Sequence, residues 1–171
     1  EFIPFAEMLL CDFSEIDANL VDAKSLFANI HDIKAIGEWD VSGEELTQLQ
    51  IDYLKFFESL HLYYTKLRNR LQTLGKAYAG MAYRKVAENI EVYLPHFEGK
   101  KIYFVGFNAM QQCDEIIIKA LTTGGIATMI TDGDNDYFKD KQQEAGHFLR
   151  LMRQKGIKGL EENYENFFGH D

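Results

Sequence analysis

Three aspartates at alternate positions open the list of groups able to do chemistry. They are Asp132, Asp134 and Asp136, in the segment Thr131-Asp132-Gly133-Asp134-Asn135-Asp136-Tyr137. A calcium loop begins with D-x-D-x-D, but Tyr137 stands where that loop needs Gly, and its twelfth residue is Gln143 in place of a bidentate Glu. Acidic loops after strands also hold ligand and magnesium contacts in α/β domains. The simpler reading is a turn rich in Asp, Asn and Gly, with no bound metal or nucleotide expected. Glu98-Gly99-Lys100 matches the E-x-K half of a nuclease motif, in which a carboxylate and a lysine serve a metal-bound water. Its partner Pro-Asp dipeptide is missing, and so is any G-x-x-x-x-G-K-[ST] loop to cradle a nucleotide triphosphate. Asp114 and Glu115 could pair as acid and base, but at the start of a helix they more simply favour the positive end of its dipole. His31, His61, His96, His147 and His170 have no ligand-like spacing. Cys113 falls on the apolar face of a helix and reads as core.

The charge pattern says more than the net charge. Between Glu58 and Glu88 the chain has no acid and six bases: Lys66, Arg68, Arg70, Lys76, Arg84 and Lys85. A second acid-free window, between Glu144 and Glu161, holds Arg150, Arg153, Lys155 and Lys158. Two phosphate-facing patches on an otherwise acidic protein would give salt-sensitive DNA contact. Solvated helix faces are the plainer account of such runs.

The elements that must position these groups follow from periodicity and breakers. The first 95 residues read as helical, with Ile3, Ala6, Leu9 and Leu10 on one face. Ser14 with Asp17 resembles a capping box, opening a helix with Ile16, Leu20, Ala23 and Phe27 inward. Asn29 to Ile36 reads as a short helical piece ended by Gly37. Ser42 with Glu45 is a better capping box, opening a run through Leu46, Leu49, Tyr53, Phe56, Phe57 and Leu60. After a break at His61 the run continues through Leu67, Leu71 and Leu74 to a C′ residue at Gly75. A last helix, Ala79 to Tyr93, is stopped by Pro95. Beyond it, Lys101 to Val105 and Ile126 to Thr131 read as strands around a helix from Met110 to Leu121. That makes one βαβ unit with a parallel pair. Glu144 to Gln154 reads as a further helix.

Composition bounds the class. The chain has 171 residues, with 46% apolar and 13% aromatic, enough for a packed core. Apolar runs are only a few residues long, so no membrane span is expected. Glu1 opens the chain with no basic n-region, which suggests an excised or processed piece without a signal peptide. Cys11 and Cys113 are single and far apart, which fits a reducing cytoplasm. A formal charge of −9 argues against wrapping nucleic acid over the whole surface.

Three passages carry a family resemblance: Glu7-Met8-Leu9-Leu10-Cys11-Asp12-Phe13-Ser14-Glu15-Ile16-Asp17, then Ala77-Tyr78-Ala79-Gly80-Met81-Ala82-Tyr83-Arg84, then Ile102-Tyr103-Phe104-Val105-Gly106-Phe107-Asn108-Ala109. With Glu144-Ala145-Gly146-His147-Phe148-Leu149-Arg150, they resemble the helicase-like region of bacterial PD-(D/E)XK exonucleases akin to the AddB subunit of AddAB helicase–nucleases, relatives of UvrD-like superfamily 1. The resemblance implies an α/β, mostly helical fold. In it residues 1–95 form a helical, subdomain 1B-like part and residues 96–171 a partial RecA-like α/β piece. It also implies a lost motor. An active motif II strand ends in Asp-Glu, whereas here it ends Val105-Gly106-Phe107-Asn108, with neither metal ligand nor base. The P-loop and nuclease motif would lie outside this piece.

The expected function is an internal, noncatalytic fragment of a DNA exonuclease or recombinational-repair protein, giving DNA contact or scaffolding. Lys66, Arg68, Arg70, Lys76, Arg84, Lys85, Arg150 and Arg153 are the candidate DNA contacts. No cofactor is expected here, while the parent would use magnesium. The alternative is a structural or protein–protein module packing against a catalytic partner subunit, for which Tyr63, Tyr64, Tyr78, Tyr83 and Tyr93 would be interface groups. A free-standing nuclease using Glu98, Lys100 and the Asp132 loop has the weakest support.

Overall fold

The computed structural model describes residues 2–39, 47–107, 109–131 and 138–158, in two compact units, Glu1–Ala82 and Tyr83–Asp171. The fold is α/β and mostly helical, with a small parallel sheet in the second unit. The Ser42–Glu45 capping box and the Asp132, Asp134 and Asp136 loop lie outside the described residues.

The first unit holds α1 (Phe2–Ala18), α2 (Ala23–Trp39) and α3 (Gln48–Thr73), followed by the start of α4 (Ala79–Glu88). Its core is Phe13, Ile16, Ala23, Phe27, Leu60 and Tyr64, with Leu9, Leu26, Phe56 and Leu67 packed around it. Phe13 meets Phe27 and Tyr64 edge-on, at centroid distances of 6.1 and 5.3 Å, a favourable arrangement for ring quadrupoles.

Several helix boundaries differ from those expected. Ser14 opens no helix, because α1 runs through it to Ala18. The chain turns instead at Leu20, whose φ of 54° is left-handed. There the Val21 N–H bonds the Ile16 carbonyl and the Leu20 N–H bonds the Asp17 carbonyl, both at 3.0 Å, in a Schellman-type end. Asp22 then caps α2, accepting from the Ser25 N–H at 3.1 Å and the Ser25 hydroxyl at 2.5 Å. These bonds hold its carboxyl below the usual range. Gly37 does not end a helix but lies within α2.

α3 also passes unbroken through His61, since Leu60, Tyr64 and Leu67 continue its buried stripe across that turn. At its end Gly75 has φ 64°, where a Cβ would be strained, and the Lys76 N–H bonds the Leu71 carbonyl at 2.9 Å.

In the second unit, the helical run toward Pro95 divides at Asn89, whose side chain bonds the Lys85 carbonyl at 2.8 Å. Beyond it lie α5 (Ile90–Tyr93) and a 3₁₀ turn (Leu94–Phe97) that tolerates Pro95 near its start. β1 (Ile102–Val105), α6 (Gln112–Thr123) and β2 (Ala127–Ile130) then form the expected βαβ unit. The strands are parallel, with Ile102 opposite Ala127 and Val105 opposite Ile130. Gln111 and Asp114 form a reciprocal capping box on α6, so Asp114 has a helix-end role. After a 3₁₀ turn (Glu144–Gly146), α7 (His147–Gln154) closes the core of Ile118, Met129, Phe138, Leu149, Met152 and Ile157. Cys113 is fully buried, as its helical position implied. The other side of the sheet is open: Tyr103, Val105, Thr128 and Ile130 are all exposed.

Candidate nucleic-acid interface

α3 presents two faces with opposite jobs. Its inward face carries Tyr64 and Arg68 to Asp17, a fully buried carboxylate on α1. Tyr64 Oη donates to Asp17 Oδ1 at 2.6 Å, and Tyr78 Oη, just before α4, donates to Oδ2. Arg68 Nη1 sits 3.0 Å from Oδ1 and donates to Tyr64 Oη, while its guanidinium lies 5.1 Å from the Tyr64 ring centroid. Burial, then the bond to Asp17, raises both phenol pKa values above the ordinary 10.0. A buried carboxylate is costly unless paired and hydrogen-bonded, and here two phenols and a guanidinium share that task.

Next to this network α4 presses on α1. The Gly80 N–H donates to Ser14 Oγ at 2.9 Å. A Cβ at position 80 would stand 2.0 Å from the Ser14 carbonyl oxygen, so the approach requires glycine. Asp17, Tyr78 and Gly80 all belong to passages that carry the resemblance, yet their contact spans more than sixty positions and no local spacing signals it.

The outward face of α3 carries exposed Lys66 and Arg70 one turn apart, and exposed Lys76 follows in the loop. Tyr63 stands beside them with half its surface exposed. Between α1 and α3 lies an apolar groove of about 360 Å³ lined by Phe5, Ala6, Leu9, Leu10, Phe13, Tyr63 and Leu67.

The remaining candidate cations have other surroundings. Arg84 pairs with Glu88 at 2.9 Å, and Lys85 is exposed on the same helix. Arg150 donates to the Asp140 and Gln143 carbonyls at 2.8 and 2.6 Å. Arg153 stacks over Phe138 at 5.4 Å, and Lys155 pairs with Glu115 at 2.6 Å. In the second window, therefore, these side chains are engaged in holding the unit's own loops and helices together. Of the tyrosines, Tyr64 is buried, Tyr78 and Tyr93 are half-buried, and Tyr63 and Tyr83 are exposed.

Glu98 and Lys100 flank the turn at Gly99, and Lys100 Nζ lies over the Phe97 ring at 5.5 Å. Among the described residues there is no group of three or more His, Cys, Asp or Glu able to hold a metal ion. Nor is any described helix long and apolar enough to cross a membrane. No family model, curated protein or solved structure matches the chain.

Proposed function

We propose that this chain is an internal, noncatalytic, helicase-like part of a DNA exonuclease or recombinational-repair protein akin to AddB, and that it contacts DNA through the outer face of α3. In this reading the βαβ unit is a partial RecA-like piece, and magnesium chemistry belongs to the parent outside these residues. The observation carrying the reading is the division of labour along α3. Arg68 is spent on Asp17, whereas Lys66, Arg70 and Lys76 face solvent with no acid between Glu58 and Glu88 to neutralise them. Exposed cations on a rigid helix and in the loop that follows it suit phosphates, which position a nucleic acid without reading its sequence.

The test is fluorescence anisotropy with a tailed duplex at low salt. Converting Lys66, Arg70 and Lys76 together to Glu is expected to abolish binding while leaving the melting temperature in place. Arg68 is unsuitable as a probe, because its loss would disturb the fold. Binding that is absent, or unchanged in the triple variant, would overturn the reading.

The second reading is scaffolding against a partner subunit or another domain, and the bare sheet face favours it. Parallel sheets are normally covered on both faces, and here Tyr103, Val105 and Ile130 are exposed. Photo-cross-linking from position 105, capturing the partner domain in the intact parent protein, would support it. Uncoupled Val105 in that parent would remove it.

A further inference from the structure

We infer that the α1–α3 groove is an interface between two copies of this chain, related by a two-fold axis that sets α1 of each copy against the α3 flank of the other. This goes beyond the proposed DNA contact and does not depend on it. The groove face exposes large apolar groups: Ile3 is 69% exposed, Tyr63 50% and Leu10 39%. Leu10 and Tyr63 line the groove itself. Ile3 precedes Leu10 by seven residues, about two helical turns, and so lies on the same side of α1. Contiguous apolar surface open to solvent marks an interaction site.

Charge complementarity selects the occupant. On the α3 side, Lys66 and Arg70 follow the groove residues Tyr63 and Leu67 by three positions each. On the α1 side, Glu7 precedes Leu10 by three and Asp12 follows Leu9 by three. All four charges are exposed, and none makes an ion pair with another described residue. α1 carries no lysine or arginine, and α3 beyond Glu58 carries no acid. The two flanks therefore have opposite signs. An occupant of one sign, such as a nucleic acid, is repelled by one of them. A second copy is not, because it brings the same apolar centre between the same two flanks. A two-fold axis lays the acidic flank of each copy on the basic flank of the other, so the pairing is made twice. DNA and the second copy then compete for Lys66 and Arg70.

The experiment is sedimentation equilibrium of the full chain over a concentration series, with charge-reversed variants. The chain as it stands should dimerise. The dimer Kd should rise roughly tenfold or more in Glu7→Lys/Asp12→Lys, and likewise in Lys66→Glu/Arg70→Glu, because like charges then face each other. An equimolar mixture of the two variants should dimerise again, since one carries two basic flanks and the other two acidic ones. Recovery on mixing also shows that both variants are folded. A chain that stays monomeric at every concentration would assign the groove to another partner and overturn the inference. A dimer indifferent to either reversal, or one that mixing fails to restore, would overturn it too. The DNA reading is judged separately, because Glu7→Lys/Asp12→Lys removes the dimer while keeping every cation proposed to meet phosphate. Loss of the dimer with DNA binding retained in that variant supports both readings.

Discussion

Asp17 has both carboxylate oxygens occupied, by Tyr64 and Arg68 on one side and Tyr78 on the other. Removing it strands two phenols and a guanidinium. Asp17→Ala should cost about 3 kcal/mol in urea unfolding, the lower end for a broken buried pair, because Arg68 keeps some contact with water. Tyr78→Phe removes one bond to a charged group and should cost about 1.5–3 kcal/mol. The same phenols set a pH dependence. Their folded pKa values lie above 10.0, so their contribution to stability is complete below pH 10 and is lost as pH rises beyond it. Urea midpoints measured from pH 8 to 11 should therefore hold level and then fall, and the fall should be shallower in Tyr78→Phe. Gly80→Ala places a methyl against the Ser14 backbone and should cost about 1–3 kcal/mol, visible as a lowered melting temperature.

Helix ends and the two sides of the sheet decide what each element tolerates. Gly75 has no atom within 4 Å of an added Cβ, so Gly75→Ala tests backbone strain without a clash. It should cost about 1 kcal/mol. Leu20 holds the same left-handed conformation with a side chain, so its turn already carries the strain that glycine avoids elsewhere. In the sheet, Met129 is fully buried while Val105 is 63% exposed. Met129→Ala should cost about 2–5 kcal/mol. Val105→Thr should change stability by no more than about 0.5 kcal/mol. Equal losses at the two positions in chemical denaturation would mean that the outer face is covered.

For the molecule as a whole, a formal charge of −9 makes any nucleic-acid contact local. The three phosphate contacts proposed for Lys66, Arg70 and Lys76 predict a shallow but definite salt dependence. Raising salt fourfold should weaken binding roughly 20- to 40-fold, as follows from about 0.7 to 0.9 counterions released per contact. A titration at several salt concentrations checks this. A slope near zero would mean that phosphates are not what the cations meet.

Periodicity and breakers alone predicted a helical first part and a βαβ unit after Pro95, because each rests on local rules of pattern and capping. Cys113 in the core, Gly75 at a helix end and the acidic start of α6 belong to that legible class. The helix boundaries at Ser14, Gly37 and His61 do not; at Ser14 and His61 buried stripes that continue across the residue outweigh its own preference for a cap or a break. The candidate site was half legible. The acid-free window could be counted, but which of its cations face out depends on where Asp17 sits. Arg68 and Arg70 are two positions apart on one helix, and only the packing of α1 against α3 makes one structural and leaves the other at the surface. The groove beside them exists only once both helices are in place, since its walls come from residues fifty or more positions apart.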